Sequence, residues 1–206
     1  CMFGIYKMDE GEIEYEGQKV TIPTPLDALN RGIAMVHQEL QPIPARTVAE
    51  NIWLGRYPTK KIGPITIVDH SKMYADTDAL LKKLKLQINS HAKLGSLSIA
   101  QMQMVEIAKA VSANCKVLIL DEPTRGIDVG AKYEIYCIIA DLAKQGKSII
   151  MISSEMSEII GMSNRVMVMC DGRITGFIDG KDATQENIME LATQFETAPE
   201  KAAANQ

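Results

Sequence analysis

The sequence predicts an α/β protein with a parallel sheet at its core, a helical lobe and a small antiparallel element near its beginning. Short apolar strands alternate with helices after residue 114, which is typical of a parallel sheet. Apolar side chains recur at helical spacing between residues 71 and 113. Residues 8–22 alternate apolar and polar side chains around Glu16-Gly17, which indicates a short hairpin.

The elements that follow the hairpin are predicted from local patterns. Residues 25–31 form a short helix, and residues 33–36 form a compact apolar strand. This strand leads into Gln38, which places a polar side chain at its carboxyl end. Four prolines and little periodicity in residues 41–70 predict loops, with one short helical turn at 48–54.

The second half of the chain carries the strand and helix alternation. Residues 116–120 form a continuous apolar run, as buried parallel strands do. The other predicted elements are helices at 71–84, 101–113 and 129–144, a strand at 148–152, a helix at 155–161, strands at 165–170 and 174–178, and a terminal helix at 183–195. The end of the chain, 197–206, is predicted to be a flexible tail.

The composition is that of a globular protein. Of 206 residues, 46% are hydrophobic and 23% are charged, which excludes disorder along the whole length. The net charge is 22 − 26 = −4, so there is no broad positive field to attract nucleic acid. The four cysteines form no CxxC pair, and no apolar stretch approaches the roughly 18 residues that cross a bilayer. We therefore expect reduced thiols, no membrane span and no nucleic-acid partner.

Two adjacent carboxylates follow the apolar strand at 116–120. Asp121 and Glu122 stand at its carboxyl end, where open α/β sheets bind their ligands. In phosphoryl transfer the first acid suits the binding of Mg²⁺, and the second can orient an attacking water. The alternative is a strand end that carries two solvated acids.

A second signal lies about twenty residues upstream. Residues 97–103 stand directly before a helix, so that free backbone N–H groups meet a helix amino terminus, which is a phosphate-binding geometry. By itself the pattern is weak, because Ser98 is equally a plain helix cap. The apolar strand and Asp-Glu-Pro-Thr that follow at this distance make it strong.

At these residues the chain resembles the ATP-binding cassette (ABC) ATPases. Gln38 resembles the Q-loop glutamine, 97–101 a variant of the LSGGQ signature, 119–122 the Walker B strand with the catalytic glutamate, and Asp128 the D-loop aspartate. The segments MVHQEL, NIWLGRYPTK, LSIAQMQMVEIAKA, DEPTRGIDVGAKYEIY and ISSEMSEIIG are similar to ATP-binding subunits of bacterial monosaccharide importers, above all those for galactose and methyl galactoside. The ribose and xylose importer ATPases are similar too.

The resemblance implies ATP and Mg²⁺ as ligands, and it implies a role for each matching residue. Glu122 would be catalytic, and Asp121 and Gln38 would hold the metal. The nucleotide-binding residues would be Gln38, Ser98, Ala100, Gln101, Asp128 and Ser154. The implied partners are membrane permease subunits, a periplasmic sugar-binding protein and a second cassette arranged head to tail. The implied location is the cytoplasmic face of the inner membrane, with peripheral attachment.

Three departures from the family pattern qualify these roles. No GxxxxGK[ST] phosphate loop occurs in the chain, and the segment 126–132 imitates one only with the wrong spacing. In the family this loop would lie immediately before residue 1, so the domain is expected to be incomplete. Ser154 occupies the switch position that holds His in active cassettes. The segments before and after 120–124 resemble the first and second cassettes of the importer ATPases respectively.

The expected organisation is a single incomplete ABC nucleotide-binding domain of the P-loop NTPase type over residues 1–196. Its core comprises 1–40 and 115–181, and its helical lobe comprises about 41–114. The expected function is the energising ATPase of a monosaccharide importer. The alternative is a catalytically silent ABC-like fragment that acts, if at all, as an interaction module.

Overall fold

The structure, a computed structural model, describes residues 1–39 and 42–194, which divide into two compact units, Cys1–Ile152 and the residues from Ser153 onward. The strands are β1 Ile13–Tyr15, β2 Gln18–Val20, β3 Ile33–Val36, β4 Thr59–Ile62, β5 Ile65–Val68, β6 Val117–Asp121, β7 Ser148–Ile152, β8 Arg165–Cys170 and β9 Arg173–Asp179. The helices are α1 Pro25–Asn30, α2 Val48–Ile52, α3 His70–Lys83, α4 Ile99–Ser112, α5 Val129–Lys144, α6 Met156–Met162 and α7 Gln185–Ala192.

The first unit is built on a parallel three-stranded sheet in the order β3-β6-β7. The middle strand carries the apolar run that the sequence indicates, and Leu118 and Leu120 are fully buried in it. The register pairs Val36 with Leu120 and Asp121 with Ile152. The predicted parallel α/β core is therefore confirmed, and its three strands end at one edge of the sheet.

Helices α2, α3 and α4 pack together as the predicted helical lobe. Side-chain caps set where they begin: Thr47 and Glu50 cap each other's backbone at α2, and Ser98 and Gln101 do so at α4. Each helix buries an apolar face, which includes Ile52, Met73, Val105 and Ile107. No helix among the described residues is long and apolar enough to cross a membrane.

The segment 41–70 contains a hairpin that the sequence prediction missed. Strands β4 and β5 pair antiparallel across Gly63-Pro64, with Lys60 opposite Ile67 and Ile62 opposite Ile65. Nearly every residue of both strands is exposed, so no alternation of buried and exposed positions marks them in the sequence. The prediction of loops is therefore wrong for Thr59–Ile62 and Ile65–Val68.

The second unit comprises α6, the antiparallel pair β8–β9 and α7. Val166, Val168, Ala183 and Ile188 form its core. Helix α7 begins later than predicted because Thr184 caps it in extended conformation and accepts a hydrogen bond from the Asn187 N–H. The predicted end of this helix and the predicted tail at 197–206 lie outside the described residues. The grouping of residues 1–196 into one domain stays a prediction.

Candidate functional site

The carboxyl edge of the parallel sheet brings together three of the predicted site residues. Because Val36 is paired with Leu120, Gln38 and Glu122 each lie two residues beyond a paired position on neighbouring strands. Asp121 is the last residue of β6 and lies opposite Ile152. Gln38 is exposed, and Asp121 and Glu122 are half-buried. One amide and two carboxylates therefore lie at this edge.

Glu122 has a backbone conformation that sequence reasoning missed. Its φ is +49°, in the left-handed region that is costly for a residue with a side chain. The Glu122 N–H donates to the Ile152 carbonyl at 2.8 Å, and the Glu122 carbonyl accepts from the Arg125 N–H at 3.2 Å. Pro123 and Thr124, which follow, are buried. The neighbouring structure therefore holds Glu122 in a strained conformation, as is common at functional sites.

The signature-like segment lies at the amino terminus of α4, where Ser98 is the cap residue. Ser98 Oγ accepts the Gln101 N–H at 3.2 Å, and Gln101 Oε1 accepts the Ser98 N–H at 3.1 Å. Ala100 is buried within the first turn. Helix geometry leaves the N–H groups of Ile99 and Ala100 without acceptors inside the helix. The plain cap is therefore present, and the helix itself supplies no acceptor for these two amides.

Asp128 caps the next helix, α5. Its Oδ1 accepts the Ala131 N–H at 3.0 Å, so the carboxylate occupies the amino terminus of α5. This contact also explains why the segment 126–132 is a poor phosphate loop, since a phosphate at that terminus would meet the carboxylate charge. Asp128 itself is exposed.

Ser154, the residue at the predicted switch position, belongs to the second unit and is exposed. Its neighbour Ser153 accepts the Glu155 N–H at 3.0 Å and donates from its hydroxyl to the Glu158 carboxylate. Ser153 is therefore held by its own turn. A serine at position 154 carries a hydroxyl and no positive charge at any pH.

Asp121 and Gln38, at the sheet edge, fit Mg²⁺ as a partial set of ligands. Mg²⁺ prefers oxygen ligands and is commonly bound by one or two carboxylates, with phosphate and water completing the octahedron. Asp121 can supply a carboxylate oxygen, and the Gln38 amide can supply a carbonyl oxygen. Within residues 1–39 and 42–194, no group of three His, Cys, Asp or Glu side chains could hold a metal alone.

A cavity of about 270 Å³ lies between the end of β3 and helix α4. Its apolar lining residues include Ala34, Val36 and Ala110, and its polar ones include His37, Glu39, Arg56, Glu106 and Lys109. Lys109 pairs with Glu106 at 3.3 Å, and Phe3 meets His37 edge to face at 6.0 Å between ring centroids. Sequence reasoning missed this cavity because its lining comes from five separated segments. It is smaller than the usual ligand pocket and fits a side chain or a short segment of another chain.

Comparison with known proteins gives the same picture as the motifs. The family model described as "ABC transporter" matches residues 1–125. The galactose/methyl galactoside import ATP-binding protein MglA of Clostridium tetani is 46% identical over 189 residues, which cover 92% of this chain and 38% of the relative. The protein of that name from Haemophilus influenzae is 42% identical and covers 98% of this chain and 40% of the relative. The resemblance to these import proteins is therefore confirmed.

Solved structures show the same fold. A nucleotide-free ATP-binding cassette from an ABC transporter has a TM-score of 0.77 at 24% identity, and the match covers 92% of this chain and 79% of that one. An ATP-binding cassette of an ABC transporter in its ADP conformation has a TM-score of 0.76 at 25% identity, covering 95% and 78%. The chain spans about two fifths of the length of its curated relatives, 38% and 40%. Since the family model matches more than half of its residues, the chain belongs to the ABC transporter family.

Proposed function

We propose that this chain is part of the ATP-binding subunit of an importer for a monosaccharide, of the galactose and methyl galactoside class. The observation that carries the proposal is the convergence of Gln38, Asp121 and Glu122 at the carboxyl edge of the parallel sheet. The names of the curated relatives supply the substrate class. Ribose and xylose are the other sugars that the motifs favour.

Each residue at the sheet edge has a distinct part in ATP hydrolysis. Mg²⁺ neutralises the negative charge of the phosphates when it is bound there. Asp121 holds the metal, directly or through water, and Gln38 offers its carbonyl oxygen from the neighbouring strand. Glu122 accepts a hydrogen bond from the attacking water and orients it in line with the γ-phosphate. Glu122 lies one residue beyond the end of β6, and its left-handed backbone departs from the extended conformation of the strand.

The signature segment acts on a nucleotide that a second cassette holds head to tail. The first-turn amides of α4, next to Ser98, Ala100 and Gln101, bind its phosphate through the free N–H groups and the helix dipole. Asp128, exposed at the start of α5, is the nucleotide-binding residue that we assign to the D-loop. Ser154 offers the γ-phosphate one neutral hydrogen bond, which is weaker than the contact of a charged side chain.

The partners and location follow from the proposed transport role. The cavity between β3 and α4 suits a short segment of a membrane permease subunit, because its lining combines apolar and charged side chains. A periplasmic sugar-binding protein would deliver the sugar to the permease. The chain would therefore work at the cytoplasmic face of the inner membrane, attached peripherally and without a nucleic-acid partner.

Tight ATP binding requires a phosphate loop, which these 206 residues do not contain. A phosphate-binding Lys and two backbone donors contribute roughly 1.5 kcal/mol each, or about 4.5 kcal/mol together, which is over ~1000-fold in affinity. A site that binds ATP at micromolar concentration would become millimolar. The joining of first-cassette and second-cassette patterns near 120–124 stays a prediction.

Equilibrium binding and turnover of MgATP test the proposal. The chain is measured alone and again after fusion to the N-terminal segment that precedes the matched region in the Clostridium tetani relative. We expect millimolar binding alone, and micromolar binding with hydrolysis after fusion. In the fused protein Glu122→Gln should bind MgATP and lose hydrolysis, whereas Glu14→Gln, at an exposed carboxylate of β1, should keep both.

Two outcomes would contradict the proposal in different ways. Equal hydrolysis by the Glu122→Gln and Glu14→Gln fusions would remove Glu122 from the catalytic role. Micromolar MgATP binding without hydrolysis in the fused protein would favour the second candidate, a catalytically silent interaction module. The departure at Ser154 is the observation that supports this second candidate.

A further inference from the structure

Arg56 joins the carboxyl end of α4 to the segment that follows α2. Its Nη2 donates to Ser112 Oγ at 2.8 Å and lies 3.4 Å from the Lys109 carbonyl. The same nitrogen lies 3.4 Å from the Ile52 carbonyl, in the last turn of α2. One guanidinium group therefore contacts the ends of two helices that are distant in sequence.

The Trp53 side chain extends this connection to α3. The Arg56 guanidinium lies 5.8 Å from the centroid of the Trp53 ring, within cation–π range. The indole Nε1–H of Trp53 donates to Thr77 Oγ1 at 2.9 Å, and Thr77, fully buried in α3, donates to the Met73 carbonyl at 2.7 Å. Trp53 and Arg56 thus form one continuous set of contacts through α2, α3 and α4.

The chemistry of this contact favours arginine. The last carbonyls of a helix receive no hydrogen bond from N–H groups of the same helix, and the helix dipole stabilises a cation placed beside them. Partial burial lowers the pKa of the Arg56 guanidinium below its usual value, although part of the residue stays exposed. A guanidinium remains charged under these conditions and can reach several acceptors from one plane.

We propose that Arg56 is a positioning residue, which fixes the signature helix α4 against α2 and α3 and thereby sets where its amino terminus points. This inference rests on the proposed function, since the amino terminus of α4 carries Ser98 and Gln101. The helix of 14 residues is rigid enough to transmit a tilt from its carboxyl end to its first turn. Arg56 acts on the reaction only through the placement of α4.

The test is a distance distribution between two nitroxide labels, measured by pulsed electron paramagnetic resonance without nucleotide. One label is placed at Ile99→Cys, which is 61% exposed in the first turn of α4, and the other at Ala79→Cys, exposed on α3. The exposed cysteines Cys1 and Cys137 are changed to Ser, and the buried Cys115 and Cys170 are kept. This pair reports the tilt of α4 at the end opposite Arg56.

We expect Arg56→Ala to shift and broaden this distribution, and Arg56→Lys to restore it in part because a cation is kept. Ser112→Ala, which removes the acceptor at 2.8 Å, should give a smaller change of the same direction. Amides in the last turn of α4 should exchange roughly fivefold faster in Arg56→Ala, equivalent to about 1 kcal/mol. The matched control is Arg46→Ala, which removes an exposed arginine of the same lobe that pairs with Glu50 at 3.1 Å.

A distribution in Arg56→Ala that equals the wild type, or an equal change in Arg46→Ala, would overturn the inference. If Arg56→Ala does not fold, Ser112→Ala decides, and a distance distribution equal to that of the wild type would overturn the inference. In the fused protein, Arg56→Lys should lower kcat and leave the KM for MgATP unchanged, because the phosphate loop holds the nucleotide. Absence of hydrolysis in the unmutated fusion would count against the proposed function alone, since the distance measurement needs no nucleotide.

Discussion

Replacing Glu122 by Gly and by Ala separates the backbone strain at this residue from its chemistry. Its φ of +49° is costly for a side chain and free of strain for glycine. The left-handed conformation costs roughly 1–2 kcal/mol, and glycine loses about 0.5–1 kcal/mol through the greater entropy of its unfolded chain. Glu122→Gly should therefore be more stable than Glu122→Ala by about 0.5–1 kcal/mol.

Urea unfolding followed by circular dichroism measures this difference. Both variants lose the carboxylate, so their comparison cancels every contribution of the Glu122 side chain. The matched control is the same pair at Glu134, an exposed position inside α5. There the order should reverse, with Ala more stable by up to about 1 kcal/mol, because helix interiors disfavour glycine.

The result that would refute this reasoning is an Ala variant at position 122 as stable as the Gly variant, or more so. Such a result would mean that the backbone relaxes out of the left-handed region once the carboxylate is gone. Both variants should lose hydrolysis in the fused protein. If Glu122→Gly is more stable than Glu122→Ala and both variants lose hydrolysis, the strained backbone at Glu122 is retained for function.

Three further predictions follow from the caps and the switch position. Ser98→Ala should lower the free energy of unfolding by about 1 kcal/mol. Gln101→Ala should destabilise the Ser98→Ala protein less than it destabilises the wild type, and thermal melts of the two single variants and the double variant measure this difference. The Thr47 N–H donates a hydrogen bond to the Glu50 carboxylate at 2.8 Å, which lowers the pKa of Glu50. The stabilisation from this hydrogen bond is present above the pKa of Glu50 in the unfolded chain, and it is lost as pH falls through the lower pKa in the folded protein. Urea melts between pH 3 and 6, roughly spanning the carboxylate range, give the free energy of unfolding at each pH. This free energy should rise less steeply with pH in Glu50→Gln than in the wild type, and an unchanged pH dependence would contradict the assignment. Ser154→His should raise kcat of the fused protein. Equal kcat values with serine and with histidine would show that Ser154 does not slow hydrolysis.

Local sequence was sufficient for most of the secondary structure. The sequence predicts β3, β6 and β7 to within a residue at each end. For β3 and β6 the reason is that buried parallel strands are continuous apolar runs, whereas β7 is apolar but has no fully buried residue. The bounds predicted for α5, 129–144, agree with those observed, and the structure shows that Asp128 caps its beginning. The hairpin β4–β5 was missed because its strands are held by pairing with each other and bury almost nothing.

The sequence by itself determined which side chains could carry chemistry, since Gln38, Ser98, Asp121 and Glu122 stand out through their neighbours along the chain. The tertiary structure alone decided how they are arranged. Strands β3 and β6 are separated by about eighty residues, and only their pairing in register places Gln38 beside Glu122. The left-handed backbone of Glu122 and the contact of Arg56 with α4 likewise depend on segments that are remote in sequence. No local pattern predicts them, because their energies come from contacts that exist only once the chain has folded.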